Sequence, residues 1–347
     1  MSGVEDADRR CRAAVEALTN RGRFGIRLGL GRTRALLRLL DDPHVAIPGV
    51  LIGGTNGKGS VQALVAGALR EAGRRVGQTP KPHLITYRER VVVNGQPIGT
   101  ADFAALLEEV LGHAEKVGRR LGPATEFEVL TAAAFAWFKR ARVDVAVVEV
   151  GMGGRLDATN VWQGGVSAIT NVGLDHTEHL GLTVAAIARE KAAIVKRGDR
   201  AVTGASGEAL PIISRRATRL AVPLRTVEPL RVVGMDRSGL RVTTDAGRQV
   251  QVGLIGRHQA SNAALALAIL EELGQAEIAE TTDRDIDRSF SAARWPGRLE
   301  LLSLGSNGRA RPAATDEPHP TDPDVLLDGA HNPDGATALA AALDELR

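Results

Sequence analysis

Gly53-Gly54-Thr55-Asn56-Gly57-Lys58-Gly59-Ser60 packs four glycines, a lysine and two hydroxyl residues into eight positions. Glycines let backbone N–H groups approach phosphate oxygens, and a helix starting there adds free donors and a favourable dipole. Lys58 would then reach the β- and γ-phosphates, and the Ser60 hydroxyl would face Mg²⁺. Gly59 stands between the lysine and the serine, so the spacing departs from the usual phosphate loop. The plain alternative is a glycine-rich turn capping a helix. Nucleotide binding over Gly54, Thr55, Asn56, Gly57, Lys58, Gly59 and Ser60 is expected.

Other residues suited to chemistry are fewer. Glu149 closes a valine-rich run, at the strand end where open α/β sheets place ligands. A carboxylate there can hold Mg²⁺ together with phosphate oxygens and water, or it can cap the glycine loop behind it. His176 also follows a strand end; by itself it reads as a loop histidine, because Mg²⁺ prefers oxygen. Only six of the 44 basic residues are lysine: Lys58, Lys81, Lys116, Lys139, Lys191 and Lys196. Where arginine supplies nearly all positive charge, a lysine is a candidate for chemistry a guanidinium cannot do. A GC-rich coding sequence with a few leftover lysines explains the same count.

The elements that must position these groups alternate. Residues 47–54 (IPGVLIGG) read as a buried strand meeting the loop, and 60–73 as a helix with apolar residues at helical spacing. Residues 91–95 (VVVNG) suggest a hairpin. Helices follow over 102–121 and 126–142, strands over 143–150 and 166–172, and a helix over 183–196. Strands alternating with helices indicate an α/β fold with a largely parallel sheet. Short alternating runs over 224–254 suggest a small antiparallel patch, and 256–273 is a strong helix. After Trp295-Pro296-Gly297, strands are expected over 298–303 and 325–328, with a helix over 333–347. Residues 305–324 read as a loop or linker.

The chain has 347 residues, 44% hydrophobic and 24% charged, enough for about two domains at the usual ~150 residues each. No apolar run reaches membrane-spanning length, and MSGVEDADRR contains acids but no signal-like apolar core. The one cysteine, Cys11, excludes a disulfide framework, and a reducing cytoplasmic setting is expected. A net charge of +3, a pI near 9.3 and 3% aromatics argue against nucleic acid as partner. A monomer acting on small molecules is expected.

GTNGKGSV is similar to the loop of the Mur ligase superfamily, and the rest resembles its folylpolyglutamate synthase and dihydrofolate synthase branch. The matching segments run in order from about residue 25: LGLGRTRALLRLL, PHL with ER, EVGMGGRLDATN, NVGLDHTEHLG, REKAAIVK, the helix with Asn262, WPGRLE and LLDGAHNPDGA. The resemblance implies a P-loop central domain over 1–296 with a small antiparallel patch. It also implies the start of a second Rossmann-like α/β domain over 297–347, cut short after one βα unit. It implies ATP-dependent addition of L-glutamate to a folate or dihydropteroate carboxylate through an acyl phosphate. A truncated ATP-binding module, or a related ligase using another acid, remain the alternatives.

By the same resemblance Asn262, Arg298 and Asp328 contact ATP, with His331 nearby, and Lys58, Lys191 and His176 are catalytic. Leu28-Gly29-Leu30, Thr125-Glu126-Phe127-Glu128 and Leu156-Asp157-Ala158 would meet the pterin-bearing acid. Ser60, Glu149, His176 and a carbamylated Lys191 would hold two Mg²⁺. From the residues alone, Phe127 fits a helix core as well as a stacking partner, Arg155 and Asp157 fit an ion pair, and Lys191 a solvated helix surface. The family's Ser-Pro-His-Leu reads Lys81-Pro82-His83-Leu84 here. An ammonium cannot bind a metal, so water fills that position or Lys81 offsets charge; a solvent-facing lysine is the third option.

Overall fold

The structure is a computed structural model that describes residues 3–25, 27–305, 310–312 and 324–346. Eight strands form the main sheet: β1 (Gly49–Gly53), β2 (Val76–Thr79), β3 (Val92–Val93), β4 (Gln96–Pro97), β5 (Val145–Glu149), β6 (Gly165–Ile169), β7 (Arg200–Thr203) and β8 (Leu224–Thr226). Their order is β4-β3-β2-β5-β1-β6-β7-β8. All pairings from β2 to β8 are parallel, and β3 and β4 add an antiparallel hairpin at one edge. The central strands are apolar throughout because helices cover both faces.

Alternation along each strand divides the core. Leu51, Ala146, Val148 and Ile169 face one layer, built from α1 (Gly3–Thr19), α2 (Gly31–Leu39), α4 (Thr100–Leu121) and α5 (Glu126–Arg140) with two later helices. Val50, Ile52, Val147 and Ala168 face the other, which contains α3 (Lys58–Glu71). The remaining helices are α6 (Thr177–Leu180), α7 (Val184–Ala192), α8 (Ala209–Leu220), α9 (Gln259–Gln275), α10 (Asp283–Ala292) and α11 (Pro333–Leu346). The layer with α1 includes α7 and α8, and the layer with α3 includes α9 and α10.

β9 (Arg231–Asp236), β10 (Gly239–Thr243) and β11 (Gln249–Val252) form the antiparallel patch. It is shorter than expected, because residues 224–226 pair in parallel with β7 and extend the main sheet instead. A third sheet joins β12 (Glu300–Leu304) antiparallel to β13 (Ala310–Pro312) and to β14 (Asp324–Leu327). β13 falls inside the segment expected to be a loop; residues 306–309 and 313–323 of that segment and Arg347 lie outside the described residues. Elements not anticipated from the sequence are α1, α2, α6, β2, β7, α8 and α10.

Candidate active site

Register brings three strand ends to one level: Ile52 lies beside Glu149, and Gly53 beside Ile169. The phosphate loop, Glu149 and the 170–176 turn therefore emerge together at the carboxyl edge of the sheet. Gly57 caps α3 with φ +83°, a left-handed conformation glycine takes readily, and a Cβ there would lie 2.2 Å from the Asn262 Oδ1. The loop is tied to the next strand end. The Asn56 N–H donates to the Asn171 Oδ1 at 2.8 Å, and the Thr170 hydroxyl donates to the Asn56 carbonyl. Lys58 folds back and donates to the Gly54 and Thr55 carbonyls at 3.0 and 2.9 Å.

A cavity of about 360 Å³ gathers many of the expected nucleotide-site and metal-site residues. Its walls include residues 55–60 of the loop, Glu149, His176, Asn262, Arg298, Asp328 and His331. Glu149 is buried, and its Oε2 has no hydrogen-bond partner. Burial raises its pKa, opposed by the charges of Lys58, Lys81 and Arg298. The Lys58 pKa is lowered by burial, with Glu149 and Asp175 acting the other way. Ser60 is buried; the Gln259 amide reaches its hydroxyl at 3.4 Å. Among the described residues no three His, Cys, Asp or Glu side chains cluster to hold a metal. An orphaned buried carboxylate oxygen in one cavity with the Ser60 hydroxyl and a phosphate loop still suits Mg²⁺. That ion is commonly held by one or two protein groups plus phosphate and water oxygens.

Lys191 is buried, not a solvated helix-surface lysine as residue type alone allowed. Its ammonium donates to the Gly54 carbonyl at 2.8 Å, behind the loop. Burial, and then the charge of Lys58, lower its pKa to about 7. Lys81 is not solvent-facing either. It donates to the Glu149 carbonyl, its Nζ lies 4.8 Å from the centre of the Phe127 ring, and burial lowers its pKa to about 8. Phe127 is thus half-buried beside the site rather than in a helix core.

This arrangement has known counterparts. Residues 52–270 match the Mur ligase middle domain. The dihydrofolate synthase/folylpolyglutamate synthase of Bacillus subtilis (strain 168) is 36% identical over 333 residues, 93% of this chain and 74% of that protein. The chain belongs to this family of Mur ligases. The Mycobacterium tuberculosis folylpolyglutamate synthase, solved with ADP and AMPPCP, superposes with a TM-score of 0.80 at 34% identity, covering 95% of this chain and 74% of that one. A folylpolyglutamate synthase solved as a complex with AMPPCP and folate gives a TM-score of 0.82 at 30% identity, over 95% and 80% of the two chains.

Within the family frame, not every expected residue lines the cavity. Leu28-Gly29-Leu30, Thr125-Glu126-Phe127-Glu128 and Leu156-Asp157-Ala158 lie outside its walls. Phe127 links the second group to the site through Lys81. Glu128 receives the Arg32 guanidinium at 2.9 Å and closes a capping box with Thr125 at the start of α5. Asp157 accepts from the Gly151, Met152 and Thr159 N–H groups. Asp157, rather than Glu149, therefore caps the glycine loop, and the considered Arg155–Asp157 pair does not form: Arg155 pairs with Glu190. Asp328 accepts from the Leu299 and Ala330 N–H groups, holding the start of β12 against the end of β14.

Sequence reasoning missed three neighbours of the loop. Asn56 and Asn332 exchange side-chain hydrogen bonds at 3.2 and 3.0 Å, and Asn332 also caps α11. Its signal was visible as Asn before Pro at a helix start. Gln259 accepts from the Asn262 amide at 2.8 Å, and His258 lies against Gln259 in the cavity wall. Neither carried a recognisable motif.

Proposed function

We propose that the protein is an ATP-dependent ligase that joins L-glutamate to the carboxylate of a folate or dihydropteroate, through an acyl phosphate, with release of ADP and phosphate. The observation that carries this reading is Glu149, a buried carboxylate with an unpartnered oxygen, in one cavity with a phosphate loop and Arg298. A carboxylate oxygen of the acid attacks the γ-phosphorus of ATP, and the bond to the β-phosphate oxygen breaks. The glutamate amine then attacks the carbonyl carbon, loses a proton, and phosphate leaves with the oxygen it gained. Catalysis in such a transfer is mostly positioning and charge stabilisation.

The chain's own groups divide that work. The N–H groups of residues 57–60 and the N-terminus of α3 hold phosphate oxygens. Lys58, released from its loop carbonyls, follows the γ-phosphate. Asn262, Arg298, Asp328 and His331 line the nucleotide, with Asp328 acting through the backbone it fixes. Ser60 and Glu149 would hold Mg²⁺, and His176 with Lys191 a second ion. Bound metal neutralises charge between phosphates and carboxylate. A Lys191 pKa near 7 supports carbamylation, because only the neutral amine bonds to CO₂.

Leu28-Gly29-Leu30, Phe127 and Leu156 through Ala158 form the acid's side of the site, steadied by the Arg32–Glu128 pair and the Asp157 cap. Residues 1–296 act as the ligase unit, and 297–347 as the start of a second unit, whose Leu299 and Ala342 share a small apolar cluster with Ile255 of the first. The setting is cytoplasmic; among the described residues no helix is long and apolar enough to cross a membrane. The test is ADP release with purified protein. It should require Mg²⁺, a folate or dihydropteroate, and glutamate together; ADP formed without the acid would refute the reading.

A further inference from the structure

The sheet face that carries α7 and α8 holds an open groove of about 830 Å³. Five arginines line it (Arg155, Arg189, Arg215, Arg216 and Arg219), and no acidic side chain does. Arg155 is paired with Glu190, and Arg216 donates to the Val195 carbonyl at 3.0 Å. Arg189, Arg215 and Arg219 form no ion pair with a carboxylate among the described residues. Two exposed helix arginines elsewhere do face acids across elements, Arg10 with Glu108 and Arg140 with Glu109. Like charges three and four residues apart on one helix repel, so Arg215, Arg216 and Arg219 weaken α8 unless an anion lies between them.

The groove shares a chain segment with the acid's side of the site. Arg155 immediately precedes Leu156-Asp157-Ala158, and Arg189 lies on the outer face of α7, two residues before the buried Lys191. An acceptor that already carries several γ-linked glutamates keeps one free α-carboxylate per unit, so it is a chain of regularly spaced anions. Guanidinium forks pair with carboxylates through two parallel hydrogen bonds, which a row of ammonium groups would not match. An open groove suits a chain of variable length better than one compact anion.

We propose that the arginine groove between α7 and α8 binds the oligo-γ-glutamate tail of an elongated acceptor. The idea rests on the ligase reading above, and its test separates the two. Calorimetry with γ-linked tetraglutamate, free of any pterin, is compared between wild type and the double variant Arg215→Glu, Arg219→Glu. Inorganic phosphate and a single-stranded oligonucleotide serve as parallel probes. Wild type should bind tetraglutamate, more tightly at low salt, and the variant should bind about tenfold less tightly. In turnover the variant should raise the KM of a tetraglutamyl acceptor about tenfold while leaving kcat and the monoglutamyl KM unchanged. Arg189→Glu, on a separate helix, repeats the test should α8 fail to fold.

Equal affinity in wild type and variants, or no binding by wild type, would overturn the proposal. Binding of oligonucleotide or phosphate in place of tetraglutamate would overturn it too. Arginine-dependent tetraglutamate binding without any ligase turnover would leave the groove standing and sink the ligase reading instead.

Discussion

Replacing Lys191 by methionine should stabilise the protein while removing turnover. The lysine is buried, with a pKa lowered from 10.5 to about 7 by burial and then by the charge of Lys58. Between those two values the unfolded chain holds the proton that the folded one releases, so stability rises with pH across that window. Below about pH 7 the folded state bears the whole cost, about 5 kcal/mol at 1.36 kcal/mol per pH unit. The cost is about 4 kcal/mol at pH 7 and falls to about 2 kcal/mol at pH 9. Methionine has a similar reach and no charge, but it gives up the hydrogen bond to the Gly54 carbonyl, about 1 kcal/mol. The variant should therefore be more stable than wild type by about 3 kcal/mol at pH 7 and about 1 kcal/mol at pH 9. Denaturant melts of both proteins at the two pH values, in CO₂-free buffer so that Lys191 stays an amine, measure this. A variant that is less stable at both, or whose gain does not shrink with pH, would refute the burial argument.

Three further outcomes follow from the same geometry. Lys58→Ala should weaken ATP binding about 100-fold by calorimetry with little change in melting temperature, since its ammonium bonds only loop carbonyls in the free protein. Gly57→Ala meets both a left-handed φ and a 2.2 Å approach to Asn262, so it should abolish nucleotide binding and cost about 1–2 kcal/mol of stability. Arg32→Ala leaves the buried Glu128 carboxylate without its cation, and chemical denaturation should show a loss of about 3 kcal/mol with the ATP affinity intact.

The parts of the site legible in the sequence are those written locally. The phosphate loop announces itself by glycine spacing, and the valine-rich strand places Glu149 at its end. Contacts between distant segments are not written that way. Residues 224–226 look like their antiparallel neighbours, but three residues carry too little pattern to reveal that they pair with β7. Asp157 sits two positions from Arg155, which suggests a pair, yet it faces backbone N–H groups freed by the glycine turn. Lys191 reads as a surface lysine because an ammonium is seldom buried without a carboxylate partner. Only the packing of α7 behind the loop buries it. The role of Lys81 is illegible for the same reason: Glu149 and Phe127 come from two other elements.

Transfer of an oxygen atom tests the central claim most directly. With the acid's reacting carboxylate labelled with ¹⁸O, turnover with ATP, Mg²⁺ and glutamate should release phosphate carrying one labelled oxygen per amide formed. Unlabelled phosphate alongside amide product would contradict activation of the carboxylate by ATP at this site.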